Sequence, residues 1–151
     1  MEKAKVYFTR NITPENVVRM FGLLGKELPG KVAVKVHSGE KGNQNFLRPE
    51  VMKPMIDAAK GTVVECNTAY DGARNTTEKH HKLMEYHGWS HYFDVDILDA
   101  EGPDAELPIP NGKQIKKNYV GKDMMKYYFA HLTALKPSLH LFSCHLIITS
   151  R

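Results

Sequence analysis

Cysteine is scarce in this sequence, and long apolar runs are missing from it altogether. The two cysteines, Cys66 and Cys144, lie far apart and in no metal-ligand pair. This spacing argues against a disulfide framework, a zinc ribbon and an iron–sulfur cluster held by this chain alone, so both residues are expected to be buried thiols. No apolar run approaches the roughly 20 residues needed to cross a bilayer, and residues 1–8 lack the features of a signal peptide. We therefore expect a cytoplasmic protein that neither spans a membrane nor is exported.

The charges of the chain are mixed rather than concentrated. The formal net charge is +4, but acidic residues are interspersed among the basic ones, and the one local basic run, residues 113–122, contains four lysines. A nucleic-acid-binding protein usually shows a denser basic patch, so no nucleic-acid partner is expected. With 151 residues, 42% of them hydrophobic and 25% charged, the composition is typical of a single globular domain spanning residues 1–151.

Strand-like and helix-like segments alternate along the first two thirds of the chain. Short segments rich in β-branched and aromatic residues predict strands at residues 4–9, 31–37, 62–66 and 94–98. Apolar residues at helical spacing predict three helices between these strands. The first helix begins with Thr13 as its N-cap, the second begins at Pro49 or alternatively at Pro54, and the third begins at residue 76 or 77 and ends at Gly88.

A β-hairpin is predicted after the fourth strand. The dipeptide Asn111-Gly112 lies between two strand-like runs, residues 107–109 and 114–119, and Asn-Gly is the strongest short-range signal for a hairpin. A short helix at residues 121–128 and a last strand at residues 139–149 complete the pattern. The alternation of strands and helices indicates an α/β fold: a mostly parallel, three-layer sheet with flanking helices and an inserted β-hairpin.

Two polar loops, after the predicted second and third strands, form the candidate binding site. They span residues 35–48 and 67–76 and are longer than the about two to six residues usual for such connections. If the two strands are neighbours, both loops open onto one crevice at the carboxyl end of the sheet, where helix N-termini favour an anionic ligand, a phosphate or a carboxylate. The alternative is that the polar residues serve only turn geometry. The candidate ligand-binding residues are Lys35, His37, Glu40, Asn43, Arg48, Asn67, Thr68, Tyr70 and Arg74.

Histidines offer a second kind of chemistry. His37 and Glu40 are weak candidates for catalytic residues or metal ligands, because imidazole titrates near neutrality and a nearby carboxylate orients it. The alternative is a loop histidine that bonds only to its neighbours. His80 and His87 share a helix face with apolar residues, so they are expected to be half-buried packing residues.

Two stretches of the sequence resemble a known family. Residues 31–49, KVAVKVHSGEKGNQNFLRP, and residues 66–74, CNTAYDGAR, are similar to the motifs of the domain-of-unknown-function family 362, which occurs in bacteria and archaea. The likeness covers about residues 3–128. Longer members carry a ferredoxin-like module with a four-iron cluster, so the resemblance implies an iron–sulfur-associated redox function, although this chain holds no cluster ligands. The motif residues are Lys35, His37, Gly39, Glu40, Gly42, Asn43, Arg48, Pro49, Asn67, Thr68, Tyr70, Gly72 and Arg74.

The last part of the sequence departs from the family pattern. Residues 129–151 lack the glycine-rich stretch and the cysteine cluster that follow in the family, so we expect a truncated or frame-shifted product and an incomplete domain. An incomplete sheet exposes an edge, which favours a homodimer. Three functions stay open: an iron–sulfur-associated redox protein with an anion-binding or small-molecule-binding crevice, a metal-assisted hydrolase or lyase that uses His37 and Glu40, and a non-catalytic ligand-binding domain.

Overall fold

The computed structural model describes residues 7–23, 25, 28, 30–123 and 127. Helices and strands alternate along this part of the chain, as the sequence predicts. The elements are α1 (Pro14–Gly22), β1 (Val32–Lys35), α2 (Pro49–Ala58), β2 (Gly61–Glu65), α3 (Thr77–Tyr86), α4 (Trp89–Tyr92), β3 (Val95–Ile97), β4 (Ala105–Pro108) and β5 (Lys117–Val120).

A parallel sheet of three strands, in the order β1-β2-β3, forms the centre of the fold. Val34 is paired with Val63, and Val63 is paired in turn with Val95. This arrangement confirms the predicted α/β class and the predicted neighbourhood of the two strands that precede the polar loops. β1 and β3 are shorter than the predicted strands 31–37 and 94–98, whereas β2 has the predicted length and begins one residue earlier than predicted.

Both faces of the sheet are covered by apolar side chains. On one face, Val32 and Val34 pack in a buried cluster with Met55 of α2 and Trp89 of α4. On the other face, Ala33 and Val64 pack with Leu98 and Tyr127. Because both faces of these strands are buried, nearly every position in them favours an apolar residue. This explains why β1 and β2 are so rich in valine.

The helix boundaries follow the capping signals. The Thr13 hydroxyl accepts a hydrogen bond from the Asn16 amide at 3.3 Å at the start of α1, and Thr76 caps α3 in the same way. The second helix begins at Pro49, so Pro54 lies inside the helix and is not its start. Gly88 ends the α3 segment in the left-handed region, with φ of 81°. The short helix α4 that follows was not predicted.

The predicted β-hairpin is present, with shifted strands. β4 and β5 pair antiparallel, and Pro108 is opposite Lys117. Residues 109–116 therefore form the connection, which is longer than the predicted connection of residues 110–113. Asn111 still adopts a positive φ of 60° there, the conformation for which asparagine is suited.

Several predictions fall partly or wholly outside the described residues. The predicted first strand lies outside them at residues 4–6, and residues 7–9 form no strand, with the Phe8 side chain exposed. Of the predicted helix 121–128, residues 122–123 form a short 3₁₀ segment, while 124–126 and 128 lie outside. The predicted last strand, 139–149, and Cys144 also lie outside. None of the described helices is long and apolar enough to cross a membrane.

Candidate functional site

Glu65, the last residue of β2, is a buried carboxylate at the carboxyl end of the sheet. Only 1% of the residue is exposed. Its Oε2 accepts a hydrogen bond from Lys35 Nζ at 2.5 Å, and its Oε1 accepts one from the Ser38 amide at 2.9 Å. Burial raises the pKa of Glu65, but the charge and hydrogen bond of Lys35 and the bond from the Ser38 amide outweigh it, so the pKa lies below its ordinary value. Glu65 is therefore ionised at neutral pH.

Arg74 links this carboxylate to the two polar loops. Its guanidinium Nη1 lies 3.9 Å from Glu65 Oε1, and its Nη2 donates to the Glu40 carboxylate and, at 2.9 Å, to the Tyr70 hydroxyl. The residue is 7% exposed. Its Nε is buried and has no hydrogen-bond partner among the described residues. Arg74 thus joins both loops and keeps one donor unsatisfied.

Four charged side chains form what we call the ion-pair network: Lys35, Glu40, Glu65 and Arg74. Its two positive and two negative charges balance. The side chains of Glu65 and Arg74 are 2% and 8% exposed, whereas Lys35 and Glu40 are 27% and 40% exposed, respectively. Because taking each charge out of water costs several kcal/mol, about as much as the pairing returns, such a network is weak evidence for stability and stronger evidence for a binding site.

His37 lies at the exposed edge of the network. Its Nδ1 accepts a hydrogen bond from the Gly39 amide at 2.9 Å. Partial burial and the nearby positive charge of Arg74 lower the pKa of His37, although Glu65 and Glu40 act in the opposite direction. The ring is therefore neutral at pH 7 and carries its proton on Nε2, which makes Nε2 a hydrogen-bond donor.

The loop after β1 depends on Gly39. This residue has φ of 88°, and a Cβ placed there would lie 2.7 Å from the Cβ of Phe46. Phe46 in turn stacks on His87 with ring centroids 3.9 Å apart, and His87 Nδ1 donates to the Ser38 carbonyl at 2.7 Å. The loop is thus folded back onto the end of α3.

Three polar side chains, those of Ser38, His80 and Asn67, are hydrogen-bonded in a row next to the network. His80 is fully buried; its Nε2 lies 3.1 Å from Ser38 Oγ, and its Nδ1 lies 3.3 Å from Asn67 Oδ1. Burial is the main reason that the pKa of His80 falls to about 4, so the ring is neutral. Because Asn67 Oδ1 can only accept, Nδ1 carries the proton and Nε2 accepts from the Ser38 hydroxyl. His80 is buried, as its position on the apolar helix face predicts, and it also connects the two loops through α3.

The other predicted residues of the second loop shape its backbone. The Asn67 amide donates to Asp99 Oδ1 at 2.8 Å, and its side chain donates to Thr77 Oγ1 at 3.0 Å. The Thr68 hydroxyl donates to the Tyr70 carbonyl at 3.1 Å. Asn67 and Thr68 therefore hold the loop that presents Arg74.

Two predicted site residues contact their own loop instead of the network. Asn43 Oδ1 accepts from the Asn45 amide at 2.8 Å. Arg48 is exposed; it donates to the Gln44 carbonyl at 3.1 Å and lies over the Phe46 ring at 4.1 Å. The structure thus brings Arg74 and the first loop together through Glu40, while the described side-chain contacts of Arg48 stay within residues 44–46.

Metal binding by His37 and Glu40 is still a prediction. Within residues 7–123 and 127, apart from the gaps at 24, 26, 27 and 29, no group of three or more His, Cys, Asp or Glu side chains is placed to hold a metal ion. The Glu40 carboxylate is paired with Arg74, and His37 Nδ1 is occupied by an amide. Cys66, which is half-buried, is no thiolate either: burial, reinforced by Asp99, raises the pKa of its thiol to about 11.

Two central residues, Glu65 and Ser38, are not among the predicted site residues. The sequence places Glu65 within the predicted strand 62–66. The available signal was an acid directly after Val63 and Val64 at the end of a strand that is buried on both faces, a position that points toward the crevice of a parallel sheet. Ser38 gave no comparable signal, because its role comes from a backbone amide and a contact with α3.

The comparisons with known proteins agree with the sequence motifs. A family model described as "Domain of unknown function (DUF362)" matches residues 32–137, which is more than half of the chain and includes both polar loops. A search of curated proteins and a search of solved structures gave no match. The chain belongs to the DUF362 family of domains of unknown function.

Proposed function

We propose that the protein binds a small anion, a carboxylate or phosphate compound, in the crevice between the two polar loops. The crevice residues are Lys35, His37, Glu40, Tyr70 and Arg74. The observation that carries this proposal is the buried Arg74 guanidinium, whose outer partner is the partly exposed Glu40 carboxylate. A planar guanidinium fits a carboxylate or a phosphate better than any other side chain does.

Glu40 occupies the position that a ligand anion would take. It lies on a loop, and its side chain is 40% exposed, so it can leave Arg74 and be solvated. Glu65, by contrast, is fixed at the end of β2 and stays on the inner side of the guanidinium. Replacement of Glu40 by a ligand exchanges one carboxylate for another anion and leaves the buried charges compensated.

Three further donors surround the same place. His37 offers Nε2–H, because its Nδ1 accepts from the Gly39 amide. Lys35 Nζ is partly exposed while it bonds to Glu65 and to the Val36 carbonyl. The exposed Tyr70 hydroxyl lies next to Arg74. All three groups can donate a hydrogen bond to an anion. The acid of the network on this exposed side is Glu40.

The iron–sulfur association rests on the family resemblance. A four-iron cluster takes four thiolate ligands, and the sequence has two cysteines, so the residues present do not fit a cluster held by this chain. We therefore assign ligand binding to the crevice and no electron-transfer step to any of its residues.

Calorimetric titration with inorganic phosphate and with succinate tests the proposal. We expect Glu40→Gln to bind one of these anions about fivefold more tightly, because a partly exposed ion pair with Arg74 is worth up to about 1 kcal/mol. Glu50→Gln, which removes an exposed carboxylate from α2, is the matched control and should leave the affinity unchanged.

A second pair of variants asks which arginine binds the anion. Arg74→Lys keeps the positive charge but loses the planar fork, so it should weaken binding, whereas Arg48→Lys should not. The proposal is wrong if Glu40→Gln binds no more tightly than the wild type, or if Arg74→Lys binds as well as the wild type does.

A further inference from the structure

A cavity of about 470 Å³ lies between the two polar loops and α3. It is separate from the crevice, because none of the five crevice residues lines it. Lys41 comes from the first loop and Ala73 from the second, and the remaining wall is one face of the helix. The residues that matter are Lys41, Ala73, Lys79, Lys82, Leu83 and Tyr86.

Helical spacing explains the composition of this wall. Residues 79, 82, 83 and 86 are related by three, four and seven positions, so they share one face of α3. Leu83 is 3% exposed and forms an apolar floor, whereas Tyr86 is 63% exposed and presents its ring at the rim. The cavity therefore combines an apolar base with two lysines one turn apart.

The charge at the cavity is positive. No acidic side chain lines it. Lys79 Nζ donates to the neutral Asn75 amide oxygen at 3.0 Å. Lys41 shows no ion pair within the described part of the chain.

The acidic side chains near the cavity do not prevent an anion from reaching the lysines. Lys82 pairs with Glu78 at 2.6 Å, but the two side chains are 70% and 79% exposed, and exposed ion pairs of this kind contribute little. Asp71 is engaged by the Gly72 amide and by Asn75. An incoming anion would thus meet three lysines without first breaking a buried interaction.

We propose that this cavity binds an organic anion with a planar apolar body. The lysines contact its phosphate or carboxylate group, and Ala73, Leu83 and Tyr86 contact its body. The volume lies within the range of small-molecule sites, roughly 300–1,000 Å³. A simple inorganic anion would leave the apolar floor uncovered, so the two parts of the cavity together select an amphipathic ligand.

Calorimetry with adenosine monophosphate and with benzoate tests this proposal on the full chain, with adenosine as the uncharged control. We expect at least one of the two anions to bind and adenosine to bind much more weakly. Lys41→Gln with Lys79→Gln should weaken binding roughly tenfold, because each exposed charge pair contributes a few-fold in affinity. The matched control, Lys113→Gln with Lys116→Gln, removes the same charge from the hairpin and should have no effect.

The anion that binds identifies the anionic group that the cavity prefers. Binding of the nucleotide alone identifies a phosphate ligand, and binding of benzoate alone identifies a carboxylate ligand; both results support the cavity. The proposal is overturned if neither anion binds, if adenosine binds equally well, or if the Lys41 and Lys79 double variant retains full affinity. Weaker binding by Arg74→Lys, which keeps the local charge, would place the ligand in the crevice and would refute this site, whereas a failure here leaves the crevice proposal untouched.

Discussion

Replacement of Glu65 by glutamine tests whether the ion-pair network is organised around this residue. Glutamine keeps the shape and one acceptor oxygen, so the Ser38 amide retains a partner. The variant loses the negative charge that faces Lys35 Nζ at 2.5 Å and Arg74 Nη1 at 3.9 Å. Removing one partner of a buried pair costs about 3–5 kcal/mol. Lys35 is 27% exposed and also bonds to the Val36 carbonyl, so we expect a lower value, about 2–3 kcal/mol.

Urea unfolding followed by tryptophan fluorescence measures this loss. The chain has a single tryptophan, Trp89, which is fully buried and therefore reports on the core. Glu106→Gln is the matched control, because Glu106 and Lys117 form an ion pair about half exposed on both sides; this variant should leave the free energy of unfolding nearly unchanged. If Glu65→Gln costs no more than Glu106→Gln, the network is not organised around Glu65.

The pH dependence gives an independent check. The pKa of Glu65 is lower in the folded protein than its ordinary value of 4.5, so its contribution is present above pH 4.5 and is lost as the pH falls through the folded pKa. The difference in stability between wild type and Glu65→Gln should therefore be constant near pH 7 and shrink below pH 4.5. A difference that persisted unchanged at pH 3 would contradict an ionised Glu65.

Three further predictions concern the loops and the residues beneath them. Gly39→Ala should cost more stability in urea unfolding than Gly42→Ala: both residues have positive φ, which costs about 1–2 kcal/mol with a side chain, but only at Gly39 does the new Cβ meet Phe46. The folded-state pKa of His80, about 4, lies below its ordinary value of 6.5. The free energy of unfolding of the wild type should therefore decrease as the pH is lowered from 6.5 to 4, and that of His80→Gln should depend less on pH in this range. Cys66, with a thiol pKa of about 11, should react slowly with iodoacetamide at pH 7.5 compared with the same residue in urea, as measured by mass spectrometry of its peptide.

Much of the fold could be predicted because it depends on local signals. Val32, Val34 and Val63 belong to short valine-rich runs, which are typical of parallel strands covered on both faces. Thr13 and Thr76 are N-caps whose hydroxyls bond to amides three residues later. Helix α4 escaped prediction because it has four residues and begins directly after Gly88, without a side-chain cap.

The site could be predicted only in part, because its most buried member depends on long-range contacts. Glycines and polar residues in two long loops indicated the carboxyl end of β1 and β2, where Lys35, Glu40 and Arg74 are joined through Glu65 and their own ion pairs. Glu65 is paired with Lys35 thirty positions away in the sequence, a relation that becomes visible only when β1 and β2 are aligned. Arg48 is the reverse case. An arginine suits an anion, yet the described contacts of its side chain lie within its own loop.

The two acids on Arg74 are expected to give opposite results when they are removed. Glu65 is fixed by a strand and receives two amide hydrogen bonds besides Lys35, so its loss should lower the stability of the fold. Glu40 is held by a loop and is 40% exposed, so its loss should change stability little and increase the affinity for anions. If both replacements only destabilised the protein, the guanidinium would serve structure alone. If Glu40→Gln alone bound anions more tightly, Arg74 would be shared between a permanent inner partner and an exchangeable outer one.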